Sequence, residues 1–496
     1  EAKSGKYGKI IPLGSKKIPK GANVYEFSSE KYHLNEDGTY KKHYPGFQKP
    51  NPNNKGLCAP CCFTSFTGNQ QINRRKQCLK NDEEQDNTSD NKKMNKDEDY
   101  IKGPEKFPLQ ENRYGYLPPA VETFLKTDNK LCYISSNNTN LRLNHECILR
   151  KGVENNKTQS FIACICDIFY KDSDDDTKLT IVEMKEKLIE SLNYDKFIKL
   201  QNGNLIRIFD DSSKNDITDD FKKSKIYNKL KSNNPESNIY FKKVISAYNN
   251  FISYLRDNEV YIDHTYLWDL ICMEGGFEEK GYNMVILEII DDDITDKIDI
   301  LCPSNTYSTN LFNNQKETFI LLKNKNYFEP IYTRKIDKDF KNTEKMFGSK
   351  SLPNIKETFE LIKNSYKNCE GLSSMPNIYK FKKNIMLNKL VDKLRIKSFQ
   401  ITKFIFNYNG KVIAVEASKD NKKGIIPCFP SAPVINLDDI EYIWIYDLTG
   451  YSYSNTLEFL KYVNTKIPEL HTKTNIKVIE DEMIIGVITD TNQFIP

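Results

Sequence analysis

No stretch of this chain approaches the roughly 20 consecutive apolar residues that a membrane helix needs. Lys3, Lys6 and Lys9 are not followed by the apolar run of a secretory signal. No membrane partner is therefore expected. Histidine is scarce, with 5 residues, and tryptophan scarcer, with 2. None of the histidines sits beside another in a triad-like or metal-like group. There is no H-E-x-x-H. There is also no phosphate-binding loop: Gly8-Lys9 and Gly410-Lys411 each lack the upstream glycine and the following Ser or Thr. These absences argue against ATPase, nuclease and protease chemistry, and the chain is expected not to be an enzyme. No repeat of fixed period is visible, which argues against a solenoid.

The length of 496 residues suggests three or four domains of roughly 100–200 residues each. Only 38% of residues are hydrophobic, but 29 Tyr and 27 Phe supply large apolar areas, so a sizeable core is feasible. The abundance of Lys, Asn and Ile reports an AT-rich genome. The chain opens on Glu1 and runs out through Thr491-Asn492-Gln493-Phe494-Ile495-Pro496, which reads as a fragment or processed product. The 12 cysteines are irregularly spaced, unlike a secreted disulfide framework. Several, such as Cys164 and Cys166, fall in apolar runs and are expected to be reduced core residues in a reducing compartment.

The net charge of +5 hides an asymmetry. Residues 1–80 hold 13 Lys and 2 Arg against 5 acidic residues, a net of +10. Residues 81–104 hold 8 acids against 4 Lys, a net of −4. A basic N-terminal region suits nucleic acid phosphates or an acidic partner, although a solvated basic surface accounts for it as well. The expected organisation is a multidomain α+β protein: a basic Cys-containing module (1–80), an acidic linker or loop (81–104), an α+β domain (105–210), a polar linker (211–238), a mixed α/β and helical domain (239–398), and a β-rich α+β domain (399–496). Leu179–Leu192 has helical spacing, with Thr177 as the expected N-cap. A helix is expected over Ile239–Leu255, and short strands over Asn283–Ile290, Ile298–Cys302 and Thr318–Leu322. Residues 353–398 read as mainly helical. Strands return at Lys403–Asn407, Lys411–Ala417 and Tyr442–Tyr446, then in a closing pair turned at Glu480-Asp481-Glu482, with a helix at Ser454–Val463 among them. Leu149–Phe169 runs from a charged loop into a core segment, with Gly152 in a turn.

The sharpest motif is Gly56-Leu57-Cys58-Ala59-Pro60-Cys61-Cys62-Phe63, followed by Arg74-Arg75-Lys76-Gln77-Cys78. A C-x-x-C pair on a proline-containing turn can present two thiolates to one Zn2+. Cys78 is the natural third ligand, and the fourth is open among His43, Cys132, Cys147 and Cys62. Thiols packed in a loop are the alternative, and no strand–helix context supports a redox C-x-x-C. Asp291-Asp292-Asp293, with Asp296 nearby, reads as a solvated turn before it reads as a cation site. Lys41 and Lys42, within Tyr40-Lys41-Lys42-His43-Tyr44, and Arg74 and Arg75 mix cations with aromatics as DNA contacts do. Lys380-Phe381-Lys382-Lys383 and Lys393–Lys397 repeat the pattern. Each is equally readable as a wet surface.

A set of landmarks spread over residues 44–496 resembles the large subunit of the viral early transcription factor of poxvirus-like and giant nucleocytoplasmic large DNA viruses. They are Tyr44-Pro45-Gly46-Phe47 leading to Cys58–Phe63; Arg113-Tyr114-Gly115-Tyr116-Leu117-Pro118; and Leu149–Glu154 running into Gln159–Cys164. Further along come Tyr266-Leu267-Trp268-Asp269-Leu270, Asp293-Ile294-Thr295-Asp296, Cys302-Pro303-Ser304-Asn305, Ile426–Ser431 and Thr491–Pro496. The resemblance implies a non-ATPase initiation factor subunit that binds double-stranded promoter DNA, pairs with a helicase-like ATPase small subunit and recruits a viral RNA polymerase. It implies location in the virion and in the viral factory of the host cytoplasm. It also implies a C-terminal part similar to the TATA-binding protein. It hands over no individual DNA-contacting residue. A structural or minor capsid protein of a giant virus particle is the competing reading. A nucleic-acid-processing enzyme survives only if the Cys cluster or the Asp-rich turn holds a metal.

Overall fold

A computed structural model describes residues 100–496 except 137, 170–178, 212–215, 231–234, 304–310, 338–340, 349, 370–381, 383, 435 and 438, together with 46–48, 59–61 and 71–72. The chain divides into two units, Glu1–Met94 and Asn95–Pro496. In the first, Gly46–Gln48 pairs antiparallel with Ala59–Cys61, so that Phe47 lies opposite Pro60.

The second unit is mixed α+β and is organised around a seven-stranded sheet. Its strands run in the order Tyr114-Gly115, Glu146–Lys151, Tyr327–Ile336, Thr318–Asn324, Asn283–Ile289, Ile298–Ile300, with Lys341–Glu344 pairing onto the end of Tyr327–Ile336. All neighbours are antiparallel except Asn283–Ile289 beside Thr318–Asn324. The aliphatic runs Asn283-Met-Val-Ile-Leu287 and Thr318-Phe-Ile-Leu-Leu322 are buried at every position, as strands covered on both faces must be. The helix Ser160–Phe169 packs on Tyr327–Ile336, and everything from Ser160 to Ile168 is buried. The sheet draws strands from the segments 105–210 and 239–398 alike. These segments share one core where separate domains were expected.

A helical layer completes this core. Ile181–Glu190 starts at Thr180, not Thr177: Thr180 accepts from the Glu183 N–H while the Glu183 carboxylate accepts from the Thr180 N–H, a reciprocal cap. Residues 211–238 depart from a simple polar linker. They hold the helices Asp219–Lys222 and Lys225–Leu230 and the start of the long helix Pro235–Arg256. Phe221, Ile226 and Leu230 explain this, because three apolar residues in a polar stretch suffice to dock short helices, and all three are buried.

The C-terminal part is a four-stranded sheet in the order Lys422–Ser431, Val412–Lys419, Gln400–Phe406, Glu441–Trp444, of which only the last two are parallel. The helices Leu387–Ile396 and Tyr453–Lys466 pack on it. Continuous burial from Gly424 to Cys428 shows that both faces of its outer strand are covered there. A closing hairpin, Thr474–Glu480 with Met483–Thr489, turns through Asp481 and Glu482, whose φ of 46° and 65° suit a tight primed turn.

Candidate functional site

Of the residues expected to hold zinc or DNA, Cys58, Cys62, Cys78, Lys41, Lys42, Arg74 and Arg75 lie outside the described residues. Cys61 ends the strand Ala59–Cys61, opposite Gly46. The landmark stretches Tyr44–Phe47 and Cys58–Phe63 thus meet in one β-pairing. The alternative fourth ligands Cys132 and Cys147 are joined to each other, with Cα atoms 5.9 Å apart. Cys302 and Cys369 are joined likewise. These four cysteines depart from the expected reduced state, because pairing depends on neighbours 15 and 67 residues away that spacing alone does not reveal. Cys164 and Cys166 are both buried, the Cys166 thiol donates to the Thr180 carbonyl, and burial pushes the Cys164 thiol well up. Asp291-Asp292-Asp293 forms a turn: Asp291 and Asp292 have positive φ, Asp293 accepts from the Thr295 N–H and hydroxyl, and Asp292 pairs with Lys325.

Other landmarks converge on buried polar junctions. At the first, Arg150 donates to Glu329 at 2.6 Å, to the Tyr116 carbonyl at 2.9 Å, and to the carbonyls of Gly103, Pro104 and Lys106. Glu329 also accepts from the Leu109 N–H. The side chains of Arg150 and Glu329 are 0% and 2% exposed. Burial pushes the Glu329 carboxyl up, and Arg150 and the Leu109 N–H pull it back. Gly152 lies under the Gln110 carbonyl, where a Cβ would collide, so it serves close packing instead of an open turn. At a second junction Lys185 donates to Gln159, the Asp257 carbonyl and Asn258. At a third, Gln201 and Asn202, both at positive φ, tie the helices to the C-terminal sheet. The Gln201 N–H donates to Asp269, and Asn202 bonds Pro430 and Ala432. Gln493 donates to the Cys428 carbonyl. These residues hold segments together. Gln201 and Asn202 escaped sequence reasoning, since only backbone conformation and partners 68 and 230 residues away single them out.

The C-terminal sheet carries a pocket of about 290 Å3 between Lys403, Glu416, Lys423 and the loop Asp447–Tyr451. Glu416 accepts from Thr402 at 2.5 Å, from Lys423 at 3.0 Å and from the Tyr451 hydroxyl. Burial pushes this carboxyl up, but the donors outweigh burial and hold it below its ordinary value. A carboxylate so fully bonded anchors the loop and is poorly placed to accept a further proton.

The strongest candidate surface lies at the turn end of the same sheet. Residues 382–431 hold 11 basic against 3 acidic side chains. The rings of Phe399 and Tyr462 lie 6.1 Å apart, with Lys419 5.4 Å from the first and Lys422 and Lys466 5.9 and 5.5 Å from the second. Lys419 also donates to the Lys397 carbonyl, which brings the end of Leu387–Ile396 to the same corner. Arg395, Lys397 and Lys423 are exposed, and Ile396 stands out at 77% exposure between two of them. Glu458, Glu469 and Glu416 neutralise Lys422, Lys393 and Lys423, and Asp420 accepts from the Tyr462 hydroxyl at the same corner. Cation–π contacts fix the ammonium groups on a rigid base. Such a corner can meet phosphates through its cations while an apolar side chain reaches sugar or base.

Comparison of the chain with protein-family models, with curated proteins and with solved structures finds no match. Among the described residues no helix is long and apolar enough to cross a membrane.

Proposed function

We propose that this chain is a DNA-binding subunit of a viral early transcription initiation factor, working with a separate ATPase to bring viral RNA polymerase to promoter DNA. The observation that carries the reading is the basic corner where Arg395, Lys397 and Lys419 gather beside Phe399 and Tyr462. The net +10 of residues 1–80 adds a second source of phosphate affinity. The expected likeness to the TATA-binding protein belongs to this reading with one difference. A saddle that grips the minor groove needs an open sheet face, and the continuous burial over Gly424–Cys428 leaves the rim as the better contact surface. A structural zinc on Cys58, Cys61, Cys78 and Cys62 belongs to the same proposal.

Purification of the chain from infected cells or virions, with identification of what accompanies it, tests the reading. Polymerase subunits and a helicase-like ATPase are the expected companions. Shell proteins in their place would support a capsid or core component.

A further inference from the structure

A small lobe at one edge of the large sheet brings three metal-binding side chains together. The 3-10 turn Asn129–Cys132 leads into a hairpin, Tyr133–Ser135 with Asn138–Leu141. The Arg142 N–H donates to the Cys132 carbonyl at 2.8 Å and closes the hairpin base. Asn144, at φ 61°, then turns the chain, and its N–H is held by the Ile336 carbonyl. His145 and Cys147 follow, two residues apart where the chain enters the strand Glu146–Lys151, so that strand alternation places both on one side. One ligand atom each from Cys132, His145 and Cys147 falls within 4.8 Å of the others.

A disulfide between Cys132 and Cys147 uses only two of these groups, whereas a metal uses all three. The two cysteines are 3% and 1% exposed. His145 is half-buried, which leaves access for a fourth ligand from solvent. Leu141 and Tyr133 tie the lobe to the main core, while Leu131, Ile134 and Leu143 are 57%, 49% and 51% exposed. A metal held between the 3-10 turn and the strand would add a cross-link to this packing. Soft sulfur with imidazole is the donor set of zinc.

We propose that, in the reduced chain, Cys132, His145 and Cys147 bind a zinc ion, with water in the fourth position. Two equivalents of a glutathione-type monothiol reduce the Cys132–Cys147 bond. They supply two electrons and two protons and leave as their own disulfide. The zinc ion then displaces both thiol protons to solvent, and the sulfurs open to roughly 3.8 Å, the separation that Zn–S bonds of about 2.3 Å require in a tetrahedron. His145 binds through a neutral ring nitrogen.

The test uses the full chain, purified under reductant from zinc-containing medium, beside His145→Ala and the double variant Cys132→Ser/Cys147→Ser. Each variant should carry about one zinc fewer per chain by elemental analysis. The difference is read instead of the total, because Cys58, Cys61, Cys62 and Cys78 are proposed to hold zinc of their own. Cobalt added to reduced apo-protein should give thiolate charge-transfer and tetrahedral visible bands that weaken in His145→Ala. That variant leaves both sulfurs in place and removes a half-buried ring, so its fold can be verified by its unfolding midpoint. It decides the matter alone if the double serine variant fails to fold. Equal metal content and equal cobalt spectra in wild type and His145→Ala would overturn the proposal. So would a Cys132–Cys147 bond that survives reductant in the folded chain, as read by differential alkylation.

Discussion

Replacing Arg150 by Met removes the guanidinium that joins the segment 101–116 to the large sheet. Arg150 makes five hydrogen bonds at 2.6–3.2 Å, four to backbone carbonyls and one to Glu329. The substitution strands a buried carboxylate whose remaining donor is the Leu109 N–H. Breaking a buried ion pair by removing one partner costs about 3–5 kcal/mol. Burial already holds the Glu329 carboxyl above its usual range, and losing Arg150 raises it further. A carboxyl raised in the folded state is most favourable to folding below its unfolded pKa, and that advantage is lost as pH rises through the folded value. The deficit of Arg150→Met relative to wild type should therefore be largest near neutral pH and shrink toward acid pH. Arg150→Met/Glu329→Met should recover part of the loss, since no charge is then left unpaired, while the freed carbonyls still cost on the order of 1 kcal/mol each. Denaturant unfolding followed by tryptophan fluorescence reads this directly, because both tryptophans, Trp268 and Trp444, lie in the Asn95–Pro496 unit. A loss below about 1 kcal/mol, or a loss that does not vary with pH, would refute the reasoning.

Phe161 is fully buried and meets Phe328 edge-on at 5.5 Å, so Phe161→Ala should cost about 3–5 kcal/mol, and a loss near zero by the same assay would place it outside the core. Gly152→Ala drives a Cβ into the Gln110 carbonyl and should cost about 1–3 kcal/mol, whereas an unchanged midpoint would mean that the two segments can part freely. Thr180→Ala removes half of the reciprocal cap and should cost about 1 kcal/mol, with hydrogen exchange quickening in the first turn of Ile181–Glu190.

Much of the secondary structure was legible because it rests on local signals. The helix expected over Ile239–Leu255 spans Pro235–Arg256, and the strands around Asn283 and Thr318 lie within a few residues of expectation. Ser160–Phe169 was legible as core but not as a helix, because burial all round erases the periodicity that distinguishes helix from strand. Tyr327–Ile336 escaped notice since Glu329, Pro330 and Arg334 interrupt its apolar pattern. Glu329 faces Arg150, 179 residues earlier, and Arg334 lies 4.0 Å from the Tyr114 ring. Long-range partners of this kind set the topology and leave no local trace. The candidate site was legible only in part: Lys393–Lys397 stood out as basic, but its meeting with Lys419, Phe399 and Tyr462 depends on the folded sheet.

The most direct test of the DNA-binding proposal is a salt titration of the chain with its ATPase partner on AT-rich duplex DNA, followed by fluorescence anisotropy. Affinity should fall steeply with salt, with a slope of about −0.9 for each phosphate neutralised. Arg74→Ala/Arg75→Ala and Arg395→Ala/Lys397→Ala should each weaken binding about equally across sequences and make the slope shallower by up to about 2. Unchanged affinity and slope in both double variants, or wild-type binding insensitive to salt, would contradict the account.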